Sequence, residues 1–167
     1  RNIAGETISG TVRYHFGNED WKTAPANQPI ALDGALASGR HLLTAICEGD
    51  TVSQSIIVFS MADKKPVVQT HDWYYVSANR FPNDGKPVYL QVGSSDEDTH
   101  IYYTVFAGKK ILAKGSKVLS NEIHTQKLTY KPEYGDGLTV SMAWVRCGKL
   151  YHHQTTISRP LPDQKLK

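Results

Sequence analysis

Apolar and polar residues alternate with a period of two along most of the chain, and almost no segment carries the 3.6-residue apolar repeat of a helix. Thr7 to Phe16 ("TISGTVRYHF") is the first alternating run, and Asn27 to Leu32 ("NQPIAL") is a short second one. "RHLLTAIC" and "TVSQSIIVF" flank Glu48-Gly49-Asp50, which reads as a hairpin turn. The polar stretch "SMADKKP", closed by Pro66, then breaks the pattern and reads as a domain boundary. Beyond it the predicted strands are "PVVQTHDWYYVS", "PVYLQVG", "HIYYTVFA", "KILAKGSKVL", "HTQKLTY", "GLTVSMAWVR" and "KLYHHQTTIS". Seven short strands over about 95 residues, punctuated by turns such as Pro82-Asn83-Asp84-Gly85, are the pattern of an immunoglobulin-like sandwich. In "GLTVSMAWVR" the alternate residues Leu138, Val140, Met142 and Trp144 share a face, which is expected to meet the core.

A weak internal repeat supports a tandem arrangement. Gly49 and Gly148 each sit in a tight turn between two long strands. Anchoring on them aligns Leu43 with Met142, Ala45 with Trp144 and Val58 with Ile157, while Cys47 falls opposite Arg146. The expected fold is all-β, built of tandem immunoglobulin-like sandwich units. Residues 1–62 form a partial unit of about four strands, as if its opening strands were cut away. Residues 63–160 form a complete domain, and residues 161–167 form a linker to a following one.

Composition adds to this picture without changing it. Val, Ile, Thr, Tyr and Trp fill the runs between turns, which suits a pleated, half-buried surface. The net charge of +3 comes from 19 basic and 16 acidic residues spread along the chain, so nucleic acid is not an expected partner. The one dense basic piece is the tail Lys165 to Lys167. No apolar run approaches the roughly eighteen residues that cross a bilayer, so no transmembrane segment is expected. The start at Arg1, with neither Met nor an apolar leader, suggests a piece of something longer. Cys47 and Cys147 have neither metal-ligand spacing nor a C-x-x-C pair. They are assigned to different units, so no disulfide between them is expected.

Each candidate for chemistry has a plainer reading. Asp96, Glu97, Asp98 and His100 lie within "SSDEDTH". Consecutive acids point in alternating directions, without the spacing of a calcium loop, and read as a polar turn with solvated carboxylates. His152 and His153 are strand neighbours facing opposite sides, so both cannot hold one metal. His71 and His124 would join them only by chance of folding. No G-x-S-x-G elbow and no glycine-rich phosphate loop occurs. The aromatics around Trp73, Tyr74, Tyr75, Tyr102 and Tyr103, with Trp144 and Tyr151, could form a stacking platform for sugars or bases. Their strand spacing instead directs about half of them to the core and the rest to outer faces or a neighbouring domain. No catalytic, cofactor-binding or metal-ligating residue is therefore assigned, no cofactor is expected, and the chain reads as non-enzymatic.

These segments also carry a family resemblance. "NIAGETISGTVRYHF" resembles a macroglobulin-type strand with a "G-x-x-I-x-G-x-x-V" pattern, and "SGRHLLTAICEGDTVSQSIIVF" is similar to the closing hairpin of such a domain. "FPNDGKPVYLQV" lies in a stretch that resembles the opening of the next domain, and "SRPLPDQKLK" looks like a lead into a further one. Nearly the whole chain thus resembles part of a bacterial, Bacteroides-type alpha-2-macroglobulin family protein. The resemblance implies a periplasmic or cell-envelope location and a protein that traps proteases. Its partners would be the neighbouring domains of the parent chain and, through the full-length protein, proteases. Family members often carry a Cys-x-x-Gln thioester, and neither "CEGD" nor "CGKL" matches it, so the implied role here is structural. The alternative is an adhesion or carbohydrate-binding sandwich module of an envelope or secreted protein.

Overall fold

A computed structural model describes residues 9–30 and 36–161. The expected linker from residue 162 onward, with its basic tail, lies outside them, as do the first residues of the Thr7–Phe16 run and the end of Asn27–Leu32. The chain divides into two compact units, Arg1–Ser60 and Met61–Lys167. The described residues are nearly all β, arranged in antiparallel sheets, as expected of tandem immunoglobulin-like sandwich units.

The first unit holds β1 (Thr11–Phe16), β2 (Lys22–Pro25), β3 (Gly39–Cys47) and β4 (Asp50–Val58). They form one four-stranded sheet in the order β2-β1-β3-β4. Among the described residues no strand starts at Asn27. Asn27 has a left-handed backbone and sits in a turn, and the short β2 precedes it instead. Cross-strand pairing of Tyr14 with Ala45, Phe16 with Leu43 and Ala45 with Val52 puts these residues on one face. Tyr14 and Phe16 are its buried members. Val52 on β4 is 65% exposed.

The second unit has seven strands in two sheets. Its strands are β5 (Trp73–Val76), β6 (Val88–Ser94), β7 (Thr99–Ala107), β8 (Lys110–Leu119), β9 (Glu122–Leu128), β10 (Gly137–Arg146) and β11 (Lys149–Ser158). One sheet runs β11-β10-β7-β8 and the other β5-β6-β9. Leu138, Val140, Met142 and Trp144 all face inward and are buried, joined in the core by Leu90, Ile101 and Ile157. At the corner between β9 and β10 the Tyr130 hydroxyl donates to the Gly135 carbonyl at 2.9 Å, and its ring packs on Phe81. This resembles the tyrosine corner of immunoglobulin-like domains in that a tyrosine hydroxyl ties the loop before the sixth strand.

The four-stranded sheets of the two units match strand for strand. In each, a hairpin pair (β1–β2 or β7–β8) lies beside a second hairpin (β3–β4 or β10–β11), in the same antiparallel order. Both second hairpins turn through two residues with positive φ, Glu48-Gly49 and Cys147-Gly148. This is the primed turn whose twist matches that of its strands. A counterpart of the β5-β6-β9 sheet is absent among the described residues of the first unit.

Candidate functional site

The acidic loop of residues 95–98 joins β6 to β7, and the structure ties it down on three sides. Ser95 N–H donates to the Thr70 carbonyl at 2.8 Å, and Thr70 N–H returns a bond to Ser95 Oγ at 3.1 Å. These bonds hold the segment before β5. That segment was expected to be strand from Pro66, but its backbone bonds to the loop rather than to a ladder, so β5 begins only at Trp73. On the other side Asn121 N–H donates to the Asp96 carbonyl at 2.8 Å and Asp98 N–H to Ser120 Oγ at 2.9 Å, fixing the β8–β9 turn.

Asp96 is the centre of this junction, and the expectation that its carboxylate is solvated is overturned. Its side chain is only 11% exposed. Oδ2 accepts from Ser94 Oγ at 2.8 Å and lies 2.6 Å from His71 Nδ1. Arg146, at the end of β10, brings Nε to 3.5 Å from the same oxygen. That is a charge contact rather than a hydrogen bond, and Nε has no other partner although it is enclosed. Burial opposes ionisation of Asp96. The bonds from His71 and Ser94 and the charges of His71 and Arg146 outweigh it and hold the carboxyl below its ordinary range. Glu97, Asp98 and His100 remain exposed, as a polar turn predicts.

A second His–Asp pair lies beside the first. His153 Nε2 is 2.7 Å from Asp72 Oδ1, and its ring stacks on Tyr74 at 4.2 Å between centroids. Trp144 packs against both His153 and Tyr151, and its Nε1–H donates to the His71 carbonyl at 3.0 Å. Tyr74 in turn donates to Thr155 Oγ1 at 2.9 Å, joining the edge strands β5 and β11 of opposite sheets. His152 points to the other side, next to Ser141 Oγ, and His124 lies near the start of β9 beside Lys117. The aromatic run divides between core and outer faces, although Trp73 is buried on the outer face that it shares with Tyr75, where its Nε1–H donates to Gln91 Oε1 at 3.2 Å. Trp73 and Trp144 are buried, Tyr74, Tyr103 and Tyr151 are partly buried, and Tyr75 and Tyr102 face solvent.

This junction is built for holding rather than for reaction. In a nucleophilic triad histidine stands between the hydroxyl and the carboxylate. Here Asp96 stands between Ser94 and His71, so the hydroxyl donates to the carboxylate and no base takes its proton. Ser94 is also fully buried, out of reach of a substrate. Among the described residues no three His, Cys, Asp or Glu side chains converge on a metal position. The cysteines are both free thiols. No helix among the described residues is long and apolar enough to cross a membrane. Sequence reading singles out Asp96 and His71 separately but misses Arg146, whose only signal is a charge where the apolar alternation of a core strand would continue. No family model matches the chain, and no curated protein matches it.

Proposed function

We propose that the chain is a non-catalytic structural segment of an alpha-2-macroglobulin-like, protease-trapping protein of the bacterial cell envelope. The observation that carries this reading is the repetition of one four-stranded sheet, joined by a second sheet, among the described residues, in one unit only. A module built to be one of a series explains an uncovered sheet, because a neighbouring part of a larger protein supplies its partner. The Asp96 junction supports the same role, since it spends its charged groups on fixing loops. Against a carbohydrate platform, the outward tyrosines Tyr75 and Tyr102 lie on different sheets and form no shared concave site. The test is a protease challenge. The parent protein should protect casein from a broad-specificity protease, while the isolated chain should neither inhibit nor hydrolyse. A parent protein that leaves casein digestion unchanged would refute protease trapping, and hydrolysis by the isolated chain would refute the non-catalytic role.

A further inference from the structure

The two flanks of the second unit's sandwich are filled very differently. The β5/β11 flank is closed by large side chains, with Tyr74 on His153 and Trp144 behind them. The opposite flank lies between the edge strands β8 and β9, which part from the short turn at Ser120-Asn121 into separate sheets. Register shows what faces inward there. On β8, Lys117 pairs with Ile101, Gly115 with Tyr103 and Ala113 with Val105, so a lysine and two of the smallest side chains occupy core-facing positions. On β9, His124 pairs with Val92, Gln126 with Leu90 and Leu128 with Val88. Two of these three core-facing positions are therefore polar. A side chain at Gly115 would meet the Tyr103 ring, whose hydroxyl would stand only 2.9 Å from the added carbon.

The result is a cavity of about 420 Å³ between the sheets. Its floor is apolar, made by Val92, Ile101, Val140 and Met142, and polar groups stand along its walls. Lys117 Nζ donates to His124 Nδ1 at 2.8 Å across the gap between the strands. Among the described residues no carboxylate pairs with Lys117. A cation with no carboxylate partner among the described residues, above an apolar floor and in a space within the usual range of ligand cavities, fits an amphiphile with an anionic head. We propose that this flank binds a single-chain anionic amphiphile, with the hydrocarbon chain between the sheets and the anionic head on Lys117. Inward-pointing charge on an edge strand can also serve only to discourage strand pairing. That role would need neither the apolar space nor the small residues that create it. The inference concerns this unit alone and does not rest on the protease-trapping reading.

Titration calorimetry of the whole chain with octanoate, decanoate and dodecanoate, each kept below its micelle concentration, tests the proposal. One-to-one binding is expected, tightening about fourfold per methylene as apolar surface is buried. Lys117→Gln should weaken dodecanoate about tenfold by removing the charged donor, and should strengthen rather than weaken any binding of dodecyltrimethylammonium, whose cationic head the lysine repels. Ala113→Phe, filling the space from β8, should abolish dodecanoate binding while melting stays cooperative. Should that variant fail to fold, Lys117→Gln decides alone. Heat appearing only at the micelle concentration, equal affinity for dodecanoate in Lys117→Gln, or undiminished binding in a folded Ala113→Phe would each overturn it.

Discussion

The chain contains the same four-stranded sheet twice, and the two copies differ in what lies on them. In the second unit the β5-β6-β9 sheet packs on the core-facing side of β10, and Trp144 is 1% exposed. In the first unit the matching position on β3 is Ala45, which is only partly buried, and the neighbouring Val52 is open to solvent. The hairpins themselves are equally regular, since both have unbroken ladders and primed turns. Local sequence therefore suffices to form the hairpin, while the core depends on a second layer.

The largest effect that would break this comparison is at paired positions of the two hairpins. Ile157 is fully buried, whereas its counterpart Val58 is only partly so. Ile157→Ala should cost about 2–5 kcal/mol, through lost transfer energy and the cavity left behind. Val58→Ala should cost well under half of that, because Val58 is only partly buried and loses fewer contacts. Denaturant unfolding of the two variants checks this, and equal losses would mean that both sheets are covered alike.

Asp96→Asn should come next, at about 1–3 kcal/mol, since it removes the charge that His71, Ser94 and Arg146 surround. The sign with pH follows from the lowered carboxyl pKa. Stability contributed by a depressed acid is present above its unfolded value and lost as pH falls through its folded one. The gap between the native chain and Asp96→Asn should therefore be full at neutral pH and close below about pH 4. A gap that persists at low pH would mean that packing, not charge, holds the junction. Tyr130→Phe is expected to be smaller again, about 0.5–1.5 kcal/mol for one lost hydroxyl bond, read from the second unit's melting midpoint.

Much of this was legible in the sequence, and the failures have physical causes. The second unit's strands could be read because alternation and turn residues agree, and Leu138, Val140, Met142 and Trp144 were assigned to the correct face. β2 was missed because a four-residue strand such as "KTAP" is too short to show a period. β5 was read too long because the bonds of Val68 and Thr70 go to Ser95, a choice made by tertiary contact. Asp96 was read as solvated because its partners His71 and Arg146 are remote in sequence and reach it only once the sheets pack. The gap between β8 and β9 was hidden for a similar reason. "KILAKGSKVL" fixes a strand, but only register reveals that Ala113, Gly115 and Lys117 are the inward set.

The most direct test of the uncovered-sheet claim is sedimentation velocity of the chain over a wide concentration range, beside Val52→Lys. Val52 is open to solvent on the apolar face, so the lysine should change stability by no more than about 0.5 kcal/mol. The native chain should show concentration-dependent self-association through the first unit, because the exposed apolar surface at Val52 and the edge strands β2 and β4 can recruit other copies. Val52→Lys should sediment closer to a monomer. A native chain that stays monomeric at every concentration would show that residues 1–60 close on themselves, and would contradict the reading of the first unit as half of a sandwich.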